Sequence, residues 1–422
     1  VPDRPVCILS ADVFHYWVNS KMLELAGIDI DTPDIEKGGS IWRDENGNPT
    51  GYLEEIGGQY LLQQQVDLFA PEEYEACMRY YQEMSNSLGI TSIHDAAIEN
   101  PEYTLNAFLS LAKKGELTVR LRKDMLAREL PGTPRLEDAL GILREEAKRD
   151  YGDLVQSRTI KMMMDGVVTT FNAALDEPYS NRPGYYGELL YDPEELKHFC
   201  RKVDAEGFQL RIHAIGDRAI RIAIDAIAYA VDKNGKRDAR HTLCHLNMIN
   251  EEQMERMAKY NIIADINPGW HTAGIIAGAV PFIGEERVHK YRRNHSFLEH
   301  GIVVDASTDA PVVAFVLDDQ NALSPFVTIQ VGMTRCDIGK DHTDMANVHA
   351  PEERCSLEEM IRAVTLDAAY SMFTDDVSGS IEVGKYADLV ILDQNVFEIP
   401  VENIYKTKPI ATYFEGKEVY HV

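Results

Sequence analysis

Strand-sized apolar runs alternating with helix-sized amphipathic ones predict an α/β fold, a (β/α)8 barrel of the TIM type with a small β-sandwich appendage. Two observations select a barrel over an open sheet. Seven β-rich runs are separated by helical patterns at a spacing that suits parallel βα units. Ligand-type or charged residues close nearly every run, as they do where an active site is built on the rim of a barrel. One strand of the eight is unaccounted for.

The predicted strands are residues 89–96 (GITSIHDA), 117–125 (LTVRLRKDM), 158–166 (RTIKMMMDG), 208–214 (FQLRIHA), 240–246 (RHTLCHL), 261–268 (NIIADINP) and 301–309 (GIVVDASTD). Helical periodicity fills the gaps, in PEEYEACMRYYQEMSNSL, RLEDALGILREEAKRD, DPEELKHFCRKVDAEG and NEEQMERMAKY. Gly207 is a helix stop before the 208–214 strand. After about residue 375 the texture changes to short β runs with glycine turns, SGSIEVGKYADLVILD and IATYFEGKEVYHV. Near the start, IWRDENGNPTGYLEE reads as turns between short strands. Three regions follow: 1–60 covering the pocket, 61–375 forming the barrel, and 376–422 supplying the C-terminal part of the appendage.

A chain of 422 residues, 45% hydrophobic, suits one large domain with an addition. The formal net charge of −27 argues against nucleic acid and anionic membrane as partners, because both need a basic face. Cys7, Cys77, Cys200, Cys244, Cys336 and Cys355 are scattered without a C-x-x-C pair, which reads as reduced thiols in a cytoplasmic protein. The chain begins at Val1, so a signal peptide is not ruled out.

His94-Asp95, Lys123-Asp124, Lys161, His213, His245 and Asp309 close the strands. Imidazoles and carboxylates converging on one rim suit a Zn-type ion. Each has a plainer reading: a strand-end histidine can be hydrogen-bonded structure, Lys161 a salt-bridged lysine, and Asp309 a turn or helix cap. His213 and His245 end strands of successive βα units and should therefore lie near each other. Lys161 within TIKMMMDG is an odd place for a free ammonium unless it is modified or paired. An aspartate after the last barrel strand can be both metal ligand and proton acceptor.

The text ADVFHYWVNSKMLELAGI, PTGYLEE, GITSIHDA, IKMMMDG, LRIHAIGDRAI, RHTLCHLNMI, STDAPV and GSIEVGKYADLVILD resembles, in order and approximate spacing, the amidohydrolase superfamily. Within it the chain is similar to the YtcJ-like, amidohydrolase-3 metal-dependent hydrolases that include N-substituted formamide deformylases. The resemblance implies that Lys161 is carboxylated by CO2 to a bridging carbamate. It also implies that His213 and His245 bind one divalent metal, and that Asp309 binds another and acts as general base. One or two ions per chain, Zn by preference, would serve hydrolysis of a C–N bond in a small amide- or formamide-type substrate by metal-bound hydroxide. A mononuclear deaminase of the same superfamily and a catalytically inactive subunit or scaffold are the alternatives.

Asp12 and His15 fall where relatives carry D-G-H-x-x-W-x-N-S, and either contact substrate or fix a loop over the mouth. Thr242, Cys244, Trp270 and His271 replace residues usual in relatives and would line the pocket. Arg335 either binds a substrate carboxylate or caps a helix. His94 and Asp217 would support the metal ligands, Asp217 by holding the start of the helix after His213. The family's first strand carries an H-x-H pair, and none of the thirteen histidines here forms one. The resemblance starts inside the family pattern, so a companion chain or a homo-oligomer is expected to supply the opening segment.

Overall fold

The computed structural model describes residues 3–422 apart from 11–14, 36–38, 97–100, 128–134 and 313–319. Asp12 lies outside the described residues.

Four short antiparallel strands come first: β1 (Cys7–Leu9), β2 (Tyr16–Val18), β3 (Ser40–Arg43) and β4 (Pro49–Glu54), ordered β1-β2-β4-β3. The DENGNP turn joins β3 to β4, with Gly47 at φ +85°. Two helices, Ser20–Ala26 and Glu55–Gln63, accompany this sheet.

Seven parallel strands form the central sheet: β5 (Ser92–Asp95), β6 (Arg120–Leu126), β7 (Val155–Met163), β8 (Gln209–Ala214), β9 (Thr242–His245), β10 (Ile263–Ile266) and β11 (Val304–Ala306). They pair in chain order from β5 to β11, the curled sheet of an incompletely closed TIM-type barrel. All seven predicted strands are present. Among the described residues no eighth strand joins β11 to β5, and no helix is long and apolar enough to cross a membrane.

The two faces of the sheet differ completely. Ile160 and Met162 of β7, Leu210 and Ile212 of β8, Leu243 of β9, and Ala264 and Ile266 of β10 form one apolar core cluster. Helices Leu136–Ala147, Pro193–Ala205, Asp217–Asn234 and Glu251–Lys259 contribute to the same cluster. Each fully buried Leu or Ile there contributes about 1.5–3 kcal/mol of transfer free energy. The intervening residues, Lys161, Arg211, His213, Thr242, Cys244, Asp265 and Asp305, alternate onto the opposite face and line the interior.

Local sequence sets the crossovers. Asp192 accepts from the Glu194 and Glu195 amides and Pro193 fills the first helical position, which starts the helix before β8. Gly207 at φ +85° follows that helix and releases the chain into β8. Asn250 and Gln253 cap the helix after β9 reciprocally.

Asp165, just past β7, ties two rim loops together. Its carboxylate accepts from the amides of Ala174 (2.9 Å), Ile215 (3.0 Å) and Gly216 (2.8 Å). Burial pushes its pKa up to about 7, against the pull of those three donors. Gly216 is required sterically, because a Cβ there would overlap the Ala174 carbonyl.

The C-terminal antiparallel sheet, β12 (Leu389–Leu392), β13 (Pro409–Phe414) and β14 (Lys417–His421), docks through fully buried Arg120 of β6. Its guanidinium pairs with Asp388 and with Glu415 (2.9 Å) and lies over the Tyr386 and Phe414 rings at 4.5 and 4.8 Å. Arg120→Met should therefore destabilise the chain by about 3 kcal/mol, since it strands a buried carboxylate; urea denaturation checks this. Asp165→Ala should cost a similar amount, about 3 kcal/mol, by orphaning three buried amides. Hydrogen exchange in Asp165→Ala should show loss of protection confined first to 174 and 215–216.

Candidate metal centre

β8 and β9 run side by side with His213 opposite Cys244 and Ala214 opposite His245. Strand alternation alone would put Cys244, rather than His245, on the His213 face. The strand ends at His245, however, where φ is +72°, followed by +52° at Leu246. Such a conformation is strained for a residue with a side chain and is characteristic of functional rims. The two imidazoles meet edge to face with centroids 4.6 Å apart.

His245 is oriented by its neighbour. Its Nδ1 lies 2.7 Å from Asn267 Oδ1, and Asn267 in turn donates to Ser307 Oγ at 2.9 Å. That bond places the proton on Nδ1 and leaves Nε2 as the lone-pair nitrogen, the arrangement a metal ligand needs. His213 Nε2 is buried and has no hydrogen-bond partner; Asp165 Oδ1 stands 3.9 Å away. Burial, then the neighbouring His245 and Lys161 charges, hold His213 well below the usual imidazole range. Burial also lowers His245, and Lys161 adds to this while Asp309 opposes it. Both rings are thus held neutral, as metal ligation requires.

Lys161 is buried in the barrel interior, and its Nζ approaches the Cys244 thiol at 3.5 Å. Among the described residues no carboxylate lies within ion-pair distance of that ammonium. Two neutral imidazoles, one with an unpartnered buried nitrogen, beside an amine that CO2 can convert to a carbamate, fit a divalent ion. Asp309 follows β11 with φ +51° and acts electrostatically on His245. It is not gathered as tightly: among the described residues, no third His, Cys, Asp or Glu donor forms a compact set with the two histidines.

Beneath the histidines lies a chain of buried charges. Arg211, one turn of the β8 alternation below His213, bonds His94 Nδ1 at 2.6 Å and pairs with Asp265. His94 Nε2 reaches Asp124 Oδ1 at 2.6 Å, and Asp265 accepts from Ser307 at 2.9 Å. Burial would raise Asp265, but the Arg211 guanidinium overrides it and holds the carboxyl below the usual range. Asp305 accepts from Ser371 and is pushed up to about 7, by burial first and then by the Asp265 charge. His94 belongs to this foundation.

The remaining expected site residues divide into two groups. Trp270 stacks on His245 at 6.4 Å with an 18° tilt, and its buried Nε1 has no hydrogen-bond partner. His15 is buried near the mouth; it accepts from the Glu55 amide at 3.3 Å and stacks on Tyr52 at 5.5 Å. Glu55 accepts from Asn172 at 2.7 Å, which joins the N-terminal sheet to the loop after β7.

His271 takes a buried supporting position, and Arg335 takes the second of its two readings, as the left-handed C-cap (φ +57°) of the helix Pro325–Thr334. The His271 ring is buried against the Asn294 amide at 2.5 Å. Turned so that its nitrogen faces His271, that amide offers its oxygen to Arg335 Nη1 at 3.1 Å. Arg335 is fully buried and donates to the carbonyls of His349 (3.2 Å) and Arg292 (2.7 Å). Asp217 ties the helix start to the preceding loop, accepting from the amides of Asp176 (2.9 Å) and Arg218 (3.0 Å). Asp165, Arg211, Asp265 and Asn267 were not identified from sequence. Charged residues two positions before a strand-end histidine (Arg211) or inside an apolar run (Asp265) were the available signals.

The model of the Amidohydrolase family matches residues 1–420. The chain is 27% identical over 425 residues to Protein LONG AFTER FAR-RED 3 of Arabidopsis thaliana, with 99% of this chain and 69% of that protein covered. It is 25% identical to putative amidohydrolase YtcJ of Bacillus subtilis, covering 99% and 74%. To the N-substituted formamide deformylase of Arthrobacter pascens it is 24% identical, covering 98% and 73%. The fold superposes on an uncharacterized metal-dependent hydrolase from Pyrococcus horikoshii with a TM-score of 0.73 at 21% identity, covering 94% of this chain and 73% of that one. A family match across essentially the whole length, on a barrel with histidines paired at its rim, makes this chain a member of the Amidohydrolase family.

Proposed function

We propose that the protein is a metal-dependent hydrolase of C–N bonds in small amide- or formamide-type molecules. The observation that carries the reading is the His213–His245 pair beside Lys161, with His213 Nε2 buried and unpartnered. His213, His245 and a carbamate on Lys161 would hold a divalent ion, Zn by donor preference, with Asp309 as an additional ligand if a second ion binds. A divalent ion there supplies Lewis acidity and a nucleophile at neutral pH.

The chain's own residues do the rest. Asp309 accepts the proton released from the attacking water and passes it to the departing amine. Asn267 keeps His245 in the required tautomer. Trp270 offers a flat face and a free indole N–H beside the reacting bond, and His15 closes the mouth from the N-terminal sheet. The name of the formamide deformylase relative supports the substrate class. The family membership supports hydrolysis generally.

Companion copies belong to the same proposal. Among the described residues β5 and β11 are not paired with each other, which supports addition of a strand from another chain along those edges.

Asp309→Asn should lower kcat/KM by about 10²–10⁴-fold while the ion held by His213, His245 and Lys161 is retained, as removal of a general base does. Asn267→Ala should weaken metal affinity by about 10–100-fold, read by competition with a chromophoric chelator. Lys161→Ala should lose metal together with the carbamate signal seen by NMR after exchange with 13C-labelled bicarbonate. Metal-free wild-type protein with unmodified Lys161 and no turnover of N-formyl and amide substrates would overturn the reading in favour of an inactive scaffold.

A further inference from the structure

A second cluster of metal-type donors stands apart from the rim histidines. His295 opens the short helix His295–Glu299, which precedes β11. Cys355 and Glu359 flank the start of the helix Leu357–Ala363, whose N-cap is Ser356. One ligand atom from each of the three lies within 4.8 Å of the others, the only such group of three among the described residues. Tetrahedral bonds of about 2.0–2.3 Å need ligand atoms about 3.3–3.8 Å apart, so the cluster would close around an ion if its separations, 4.8 Å at most, shortened by up to about 1.5 Å.

Two groups in the cluster are buried without a partner. His295 Nδ1 has no hydrogen bond; the nearest Glu359 oxygen is 3.8 Å away, beyond hydrogen-bond range. The Cys355 side chain is buried (8% exposed), and no hydrogen bond reaches its sulfur among the described residues. Glu359 uses Oε2 on the Ser356 amide at 2.7 Å, which fixes the carboxylate and leaves Oε1 uncommitted. His295 and Glu359 keep about a third of their side-chain surface in solvent, which gives an entry path and a place for a water ligand.

We propose that His295, Cys355 and Glu359 form a cation site of the Zn2+ class, separate from the barrel rim and independent of the hydrolase reading. Thiolate, imidazole and carboxylate are the mixed donor set that a borderline-soft ion prefers, and a hard ion such as Mg2+ would not take the sulfur. Bound there, the ion would join two segments that Glu353 already brings together. Glu353 accepts from the amides of Asn294 (2.8 Å) and Ser296 (3.0 Å) and pairs with Arg293.

Cobalt tests the assignment on the full chain, because a thiolate ligand gives Co2+ a near-ultraviolet charge-transfer band that nitrogen and oxygen ligands do not. Wild type should show that band and bind one more Co2+ per chain than Cys355→Ser. His295→Ala, at a partly exposed position, should weaken uptake at the thiolate site at least tenfold. The band should survive in Cys244→Ser and His213→Ala, which alter the rim alone. Absence of the band in wild type, its persistence in Cys355→Ser, or its loss in Cys244→Ser would each overturn the proposal.

Discussion

A guanidinium inside a barrel is tolerated only if its charge is answered, and Arg211, paired with Asp265 and bonded to His94, is the point from which the rest of this interior is built. Its partners come from three other strands: His94 of β5, Asp124 of β6 and Asp265 of β10. Removing the close Asp265 carboxylate would leave the guanidinium under-compensated in a low-dielectric space, so the set is mutually dependent. The strands facing one another across the interior are thereby held in one register relation. His213 sits two residues above Arg211 on the same face, and its position follows from that registration.

The outer face works by a different principle. Apolar residues between the polar ones pack against the helices and supply non-directional cohesion, with no demand on what the interior contains. Fold and chemistry are therefore carried by alternate residues of the same strands. Backbone geometry departs from plain alternation at the strand-end residues that carry the candidate chemistry, His245 and Asp309, both with positive φ.

This division explains what could be read from sequence. The strands were legible because alternating apolar residues and flanking helical periodicity mark them directly. Lys161, His213 and His245 were legible because ligand-type residues at strand ends stand out against apolar neighbours, and the structure gathers all three. The pairings of Arg211, Asp265 and Asn267 were not, since alternation tells which face a residue takes but not which strand answers it. The surroundings of His271 and Arg335 were hidden for a related reason. Nothing local shows that residues 292–294 fold back against both of them. Asp165 sat in plain view four residues after Lys161, yet two of its three partners, Ile215 and Gly216, come from a loop that is distant in sequence.

Trp270 has a consequence of another kind. The chain has three tryptophans, and Trp17 and Trp42 are 62% and 53% exposed. Only Trp270 is sheltered, stacked on His245 with the Arg292 guanidinium 5.7 Å from its ring. Water-facing indoles emit at long wavelength, so the short-wavelength part of the intrinsic emission belongs to one residue at the rim. The protein thus carries its own optical reporter, an indole set against the ring of a rim histidine.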